Sequence, residues 1–226
     1  MRYLLFDLDG TLLNTQEGIL CGVRHVLQQQ GLSQLAREVT AQQLIGPSLR
    51  DSFSRLLQTE QPARINSAIN RFRHYYLSKG IYQYQHYPHI KAALQQLNQR
   101  GYGLLVATSK PQMQAEILLR HSHLAPYFQA IYGSDDQTPG HSKALTLKKI
   151  LDQHQIAAHH CSMIGDHRLD IDAGKQQGMN TVAVSWGYDP LDQLQRTDSD
   201  ELIHTPQALL RLFPVTETSW QANLAI

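Results

Sequence analysis

Tyr3-Leu4-Leu5-Phe6-Asp7-Leu8-Asp9-Gly10-Thr11-Leu12 is the stretch on which the reading of this chain turns. Residues 3–7 read as a strand whose apolar run is continuous rather than alternating, the pattern of a parallel sheet covered on both faces. Asp7 and Asp9 stand two apart at its carboxyl end, so both carboxylates project to one side. That side faces the crevice where open α/β sheets bind their ligands. Two such carboxylates repel each other unless something positive sits between them. A divalent hard cation with oxygen ligands meets that need, and Gly10 lets the chain turn tightly beyond the strand. The competing reading is a pair of Asp residues that form a turn and a cap.

A second acidic cluster favours the cation. Gly165-Asp166-His167-Arg168-Leu169-Asp170 follows the apolar run 161–164, so Asp166 also ends a strand and Asp170 lies about one helical turn further. Acids that merely decorate a helix N-terminus gain about 0.3–1 kcal/mol each, which does not explain why two strands end this way. Oxygen ligands of this kind suit Mg²⁺, which takes one or two carboxylates, waters and substrate phosphate oxygens. Between the clusters, Thr108-Ser109-Lys110-Pro111 ends one strand and opens a helix, offering a hydroxyl and free backbone N–H groups to an anion. Lys143 opens the next helix after the loop 133–142 and can reach inward to neutralise phosphate charge. His167, beside Asp166, is read as a loop-facing structural residue.

Outward from these motifs the chain alternates. Apolar runs at 3–7, 104–108, 130–133, 161–165 and 181–184, with a short sixth at 202–203, are separated by helical patterns at 88–99, 111–121, 143–154 and 169–177. The expected fold class is α/β, a Rossmann-like parallel sheet. One block breaks the alternation. Residues 15–82 hold no convincing strand, only helical segments at 17–30, 40–44, 49–58 and 63–78. Asn14 or Thr15 caps the first of these, with Glu17 placed as in a capping box. The domains expected are an α/β core of 1–14 with 83–226 and a helical-bundle cap of 15–82 inserted after the first strand.

Composition bounds the rest. With 226 residues, 42% hydrophobic and 17% charged, the chain can bury a substantial core. A formal charge of +1 lacks the positive excess of a nucleic-acid binder. The first ten residues read as neither signal peptide nor membrane anchor, and the two cysteines, Cys21 and Cys161, show no paired spacing. A cytoplasmic monomer with no nucleic-acid or membrane partner is expected. His159-His160, His121-x-His123 and His86-x-x-His89 lack partner ligands at zinc-like spacings. After Phe213 no periodicity is clear, though Trp220 could pin the tail.

Asp7-Leu8-Asp9-Gly10-Thr11, Thr108, Lys143 and Gly165-Asp166-x-x-x-Asp170 resemble, in order and strand-end position, the four motifs of the haloacid dehalogenase-like phosphatases. The resemblance runs to residue 212. The helical insertion is similar to the cap of the phosphoglycolate phosphatase-like branch. Ile45-Gly46-Pro47-Ser48-Leu49-Arg50 resembles a cap segment found there, including in 5′-nucleotidase-like members, with Ser48 where a second Pro is usual. What this resemblance implies is a Mg²⁺-dependent phosphatase acting on a small phosphorylated metabolite: phosphoglycolate, a nucleotide or a sugar phosphate. Asp7 would be the nucleophile and Asp9 the general acid and base. Asp7, the backbone carbonyl of Asp9, Asp166 and Asp170 would hold the metal, and Thr108 and Lys143 the phosphoryl oxygens. Gly10, Thr11 and Ser109 are further candidate substrate contacts, with Ser48 and Arg50 from the cap. The alternatives are a phosphomutase of the β-phosphoglucomutase type and a phospho-accepting signalling module.

Overall fold

Four residues with a continuous apolar face, Tyr3–Phe6, form the central strand β1, and the order of everything after it follows from where the chain must go to cover that strand. The computed structural model describes residues 2–44, 48–134 and 142–215. Ile45, Gly46 and Pro47, most of the expected 133–142 loop, and Trp220 lie outside the described residues. From β1 the chain passes through a two-residue strand, β2 (Leu13–Asn14), into α1 (Gln16–Gln29), α2 (Ser33–Glu38), α3 (Leu49–Leu57) and α4 (Pro62–Ser78). It returns through β3 (Gln85–His86), which pairs with β2. Then α5 (Ile90–Gln99), β4 (Gly103–Pro111), α6 (Gln112–His121), β5 (Ala130–Ser134), α7 (Lys143–His154) and β6 (Cys161–Gly165) alternate. The described residues continue through α8 (Arg168–Gln176), β7 (Asn180–Val184), α9 (Leu191–Leu194), β8 (Glu201–Ile203) and α10 (Leu209–Leu212).

The six long-range strands form one sheet in the order β5-β4-β1-β6-β7-β8, and every neighbouring pair is parallel. The α/β class expected from the alternating runs is the one found. Phe6 pairs with Val106 on one side and Ile164 on the other. That register brings the carboxyl ends of β1, β4 and β6 out together, at the point where the strand order turns and ligand crevices form. Leu5, Phe6, Leu105, Val106, Met163 and Ile164 are all fully buried beneath that edge. Each contributes about 1.5–3 kcal/mol of burial, which holds the edge rigid.

By its contacts the chain divides into two units, Met1–Leu13 with His86–Ile226, and Asn14–Gln85. The second unit is helical. Its helices α2 and α3, of 6 and 9 residues, are too short to stand alone in water and are held by packing. Phe72 of α4 stacks on Tyr76 at 5.6 Å and meets Phe53 of α3 edge-on at 6.2 Å. A Cβ at Gly22 of α1 would come within 2.8 Å of the Phe72 ring, so this approach of α1 and α4 requires glycine.

The structure departs from the sequence reading in local detail. Thr15 occupies the N-cap position of α1, but the side chain that bonds there is Asn14's, whose Oδ1 accepts from Gln16 N at 3.2 Å; the expected box with Glu17 does not form. Residues 40–44 yield only a 3₁₀ turn, Ala41–Gln43. A helix, α2, lies where none was expected. Among the described residues no helix is long and apolar enough to cross a membrane.

Candidate active site

The strand-end residues of β1, β4 and β6 meet in one place. Asp7 follows β1 directly, and its Oδ1 lies 2.7 Å from Lys143 Nζ. Lys143 is the first residue of α7, whose start is fixed by Ser142 accepting from Leu145 N. From there its side chain runs inward rather than into solvent and also donates to Asp170 Oδ1. Asp170 sits in the first turn of α8, and its Oδ2 accepts from His167 N at 3.1 Å. The His167 ring completes that cap by accepting from Leu169 N, the structural role its position suggests.

Asp166 is held from two sides. Thr11 Oγ1 donates to Oδ1 at 2.7 Å and Tyr188 N donates to Oδ2 at 2.9 Å. Gly10, at φ 89°, has room for no side chain, since a Cβ there would fall 2.1 Å from Asp166 Oδ2. Gly10 and Thr11 therefore build the seat of Asp166, and the Thr11 hydroxyl is turned to that carboxylate.

Burial and crowding show in the electrostatics. Burial pushes the Asp7 carboxyl up to about 6, helped by the charges of Asp170 and Asp9 and opposed by Lys143. Asp166 is raised well above the usual carboxylate range by burial and by Asp7 and Asp170, although its two hydrogen bonds pull the other way. Burial alone would depress Lys143, yet Asp170 and Asp7 raise it above the usual lysine value, so it stays a cation. A carboxylate group this crowded calls for more positive charge than one ammonium supplies.

Asp7, Asp166 and Asp170, all buried, each offer an oxygen within 4.8 Å of the others, and they are the one such group among the described residues. Three hard oxygen donors, converging and under-compensated, fit Mg²⁺. The Asp9 side chain stands apart from this group. Its two carboxylate oxygens contact Lys110 Nζ at 3.1 and 2.9 Å.

Lys110 is a functional candidate that the sequence reading passed over. It lies two residues after Thr108 at the same strand end, and it is buried with its ammonium on Asp9. Thr108 is also buried, with its Oγ1 accepting from Lys110 N at 3.2 Å, while Ser109 between them is exposed. The turn after β7 was passed over as well. Trp186 Nε1 donates to Thr11 O at 3.1 Å, and Tyr87 packs on the Trp186 ring at 6.5 Å. The Tyr87 hydroxyl is raised by burial and by the charges of Asp166 and Asp9. The available signal was positional, because this turn also follows the carboxyl end of a sheet strand.

Ser48 and Arg50 belong to the helical unit and are engaged there. Ser48 caps α3, accepting from Asp51 N at 3.1 Å and donating to Asp51 Oδ2 at 2.7 Å. Arg50 Nη2 donates to Asn66 Oδ1 at 2.7 Å.

Comparison with known proteins gives a consistent result. Residues 4–184 match the family described as haloacid dehalogenase-like hydrolase. A 5′-nucleotidase of Pseudomonas aeruginosa is 36% identical over 200 residues, covering 86% of this chain and 88% of the relative. A pyrophosphatase of Bacillus mycoides is 32% identical over 183 residues, covering 81% and 83%. Among solved structures, a haloacid dehalogenase-like hydrolase of Streptococcus pneumoniae superposes with a TM-score of 0.83 at 28% identity, covering 95% of this chain and 99% of that one.

Proposed function

The chain belongs to the haloacid dehalogenase-like hydrolases and is an enzyme of the phosphatase kind, and from that premise we propose that it is a Mg²⁺-dependent phosphatase of small phosphate monoesters. The observation that carries this reading is Lys143, buried and ion-paired to both Asp7 and Asp170 at the edge of a three-carboxylate group. That combination offers a nucleophile, a metal seat and an anion-binding cation within one crevice.

Asp7 attacks the phosphorus in line and forms an aspartyl-phosphate while the leaving alcohol departs, so one hard displacement becomes two easier ones. Asp9 enters the first step in its protonated form and gives that proton to the alcohol oxygen, and the carboxylate so formed then takes a proton from the water that hydrolyses the aspartyl-phosphate. Lys110 fixes where the Asp9 carboxylate stands before substrate arrives. Lys143 and Thr108 bind phosphoryl oxygens and stabilise the charge redistributed in the transition state; the ion pair of Lys143 with Asp7 supports its part in this. Asp7, Asp166 and Asp170, with the backbone carbonyl of Asp9, would hold Mg²⁺, which when bound supplies charge neutralisation and Lewis acidity at the phosphoryl oxygens. The helical unit acts as the cap that excludes water and selects the leaving group, with Ser48 and Arg50 as contacts. Phosphoglycolate, nucleoside monophosphates and sugar phosphates are the substrate classes, and the 5′-nucleotidase relative favours the second. The working form is a cytoplasmic monomer.

The test is hydrolysis of p-nitrophenyl phosphate. Activity is expected with Mg²⁺, its loss with EDTA, and loss of nearly all turnover in Asp7→Asn. Full activity in Asp7→Asn would remove Asp7 as nucleophile. A screen of the three substrate classes, scored as kcat/KM, then assigns the leaving group.

A further inference from the structure

Asp166 is tied to two different loops, and those two loops are tied to each other. Its Oδ1 accepts from Thr11 in the loop after β1, and its Oδ2 accepts from Tyr188 N in the turn after β7. Trp186, in that same turn, closes the ring by donating its indole N–H to the Thr11 carbonyl at 3.1 Å. Gly187, between Trp186 and Tyr188, lies so close that a Cβ would fall 2.2 Å from the Asp166 Cβ. The carboxylate is thus gripped between Gly10 and Gly187, with one donor on each oxygen.

We propose that the turn Trp186-Gly187-Tyr188 is a positioning device for the metal seat, in which the Trp186 indole N–H sets Mg²⁺ affinity without touching ion or substrate. The proposal rests on the reading of Asp7, Asp166 and Asp170 as the Mg²⁺ ligands. Each carboxylate oxygen has a second lone pair, so one donor per oxygen orients Asp166 and leaves it free to ligate. Without that grip, repulsion from Asp7 and Asp170 drives the Asp166 carboxylate out of the converging arrangement. The Trp186 hydrogen bond is the strut that keeps the two gripping loops together, and Tyr87 packs against its ring. Partners of metal ligands typically govern metal affinity by 10–100-fold, and this one acts through a further bond.

The experiment is calorimetric Mg²⁺ titration of the full chain, with steady-state kinetics alongside. Trp186→Phe, which keeps a ring and loses the N–H, is expected to weaken Mg²⁺ binding by about tenfold. Its KM for substrate and its kcat at saturating Mg²⁺ are expected to stay near wild type. Trp186→His, which restores an N–H donor, recovers part of the affinity. Unchanged affinity in Trp186→Phe overturns the proposal while leaving the metal reading intact, and so do equal losses in both variants, which point to packing alone. Absence of Mg²⁺ binding in the wild type overturns the metal reading and this proposal with it. Should Trp186→Phe fail to fold, Trp220→Phe leaves Trp186 as the single remaining tryptophan of two. Its emission must then change on Mg²⁺ titration with the calorimetric midpoint, and constant emission overturns the proposal.

Discussion

At the residue scale, two lysines with buried side chains face different aspartates. Lys143 faces Asp7 and Asp170, whereas Lys110 faces Asp9. Removing Lys143 leaves buried carboxylates without their counter-charge, a loss that typically costs about 3–5 kcal/mol. Lys143→Ala is therefore expected to lose both thermal stability and turnover, with kcat down by about 10²-fold or more, as when a charge-stabilising group is lost. A near-wild-type rate would show that phosphate is bound by another cation. Lys110→Met is expected to lower kcat more than it raises KM, because it removes the ion pair on Asp9, the acid of the proposed mechanism, and leaves the proposed phosphoryl contacts in place. Equal changes in both would assign Lys110 to substrate binding. The aspartates and Lys143 were legible because each stands at the end of an apolar run or the start of a helix. Lys110 was not, since a lone lysine is ordinarily solvated and only the fold of β4 beside β1 brings it to Asp9.

At the element scale, the apolar runs located all six strands of the main sheet, because burial on both faces leaves a continuous signature. What they did not show is the pair β2 and β3, two residues each, which exist only because the chain leaves and returns at adjacent points. Helix α2 was missed for a similar reason. Its residues, Ser-Gln-Leu-Ala-Arg-Glu, hold too few apolar positions for a helical period, and packing supplies the rest. The edge of the sheet is fastened by Asp200, whose Oδ2 accepts from Thr181 N and Oγ1 while Asp200 N donates back to Thr181 Oγ1. Burial alone would raise Asp200, but hydrogen bonds from Lys175 and Thr181 hold its carboxyl below the usual value. A group depressed on folding stabilises above its unfolded value and loses that contribution as pH falls through the folded one. Asp200→Asn is thus expected to lower Tm at neutral pH, with the difference shrinking as the pH is taken below about 4, the ordinary aspartate range. A pH-independent difference would show that shape rather than charge fastens β8.

At the scale of the whole molecule, the near-neutral charge conceals an uneven distribution. The helical unit Asn14–Gln85 carries eight Lys and Arg against four Asp and Glu, a formal +4, so the remaining residues carry −3 of the overall +1. A helical unit of that net charge attracts an anionic ester. For such a substrate kcat/KM is expected to fall as ionic strength rises from about 0.01 to about 0.15 M, as screening shortens the reach of those charges, while kcat changes little. Salt-independent kcat/KM would remove steering from the account. Arg50→Ala is expected to raise KM or shift substrate preference with kcat nearly kept, and a change in kcat alone would take Arg50 out of substrate recognition. The sequence by itself determined the parallel sheet, the helical insertion after its first strand, and the strand-end acids, because these are written in runs and spacings within a few residues. Only the tertiary structure decided which lysine meets which aspartate, and that a turn after β7 grips Asp166. Those pairings join residues as far apart as Thr11 and Trp186, and local periodicity carries no information about contacts made across the width of a sheet.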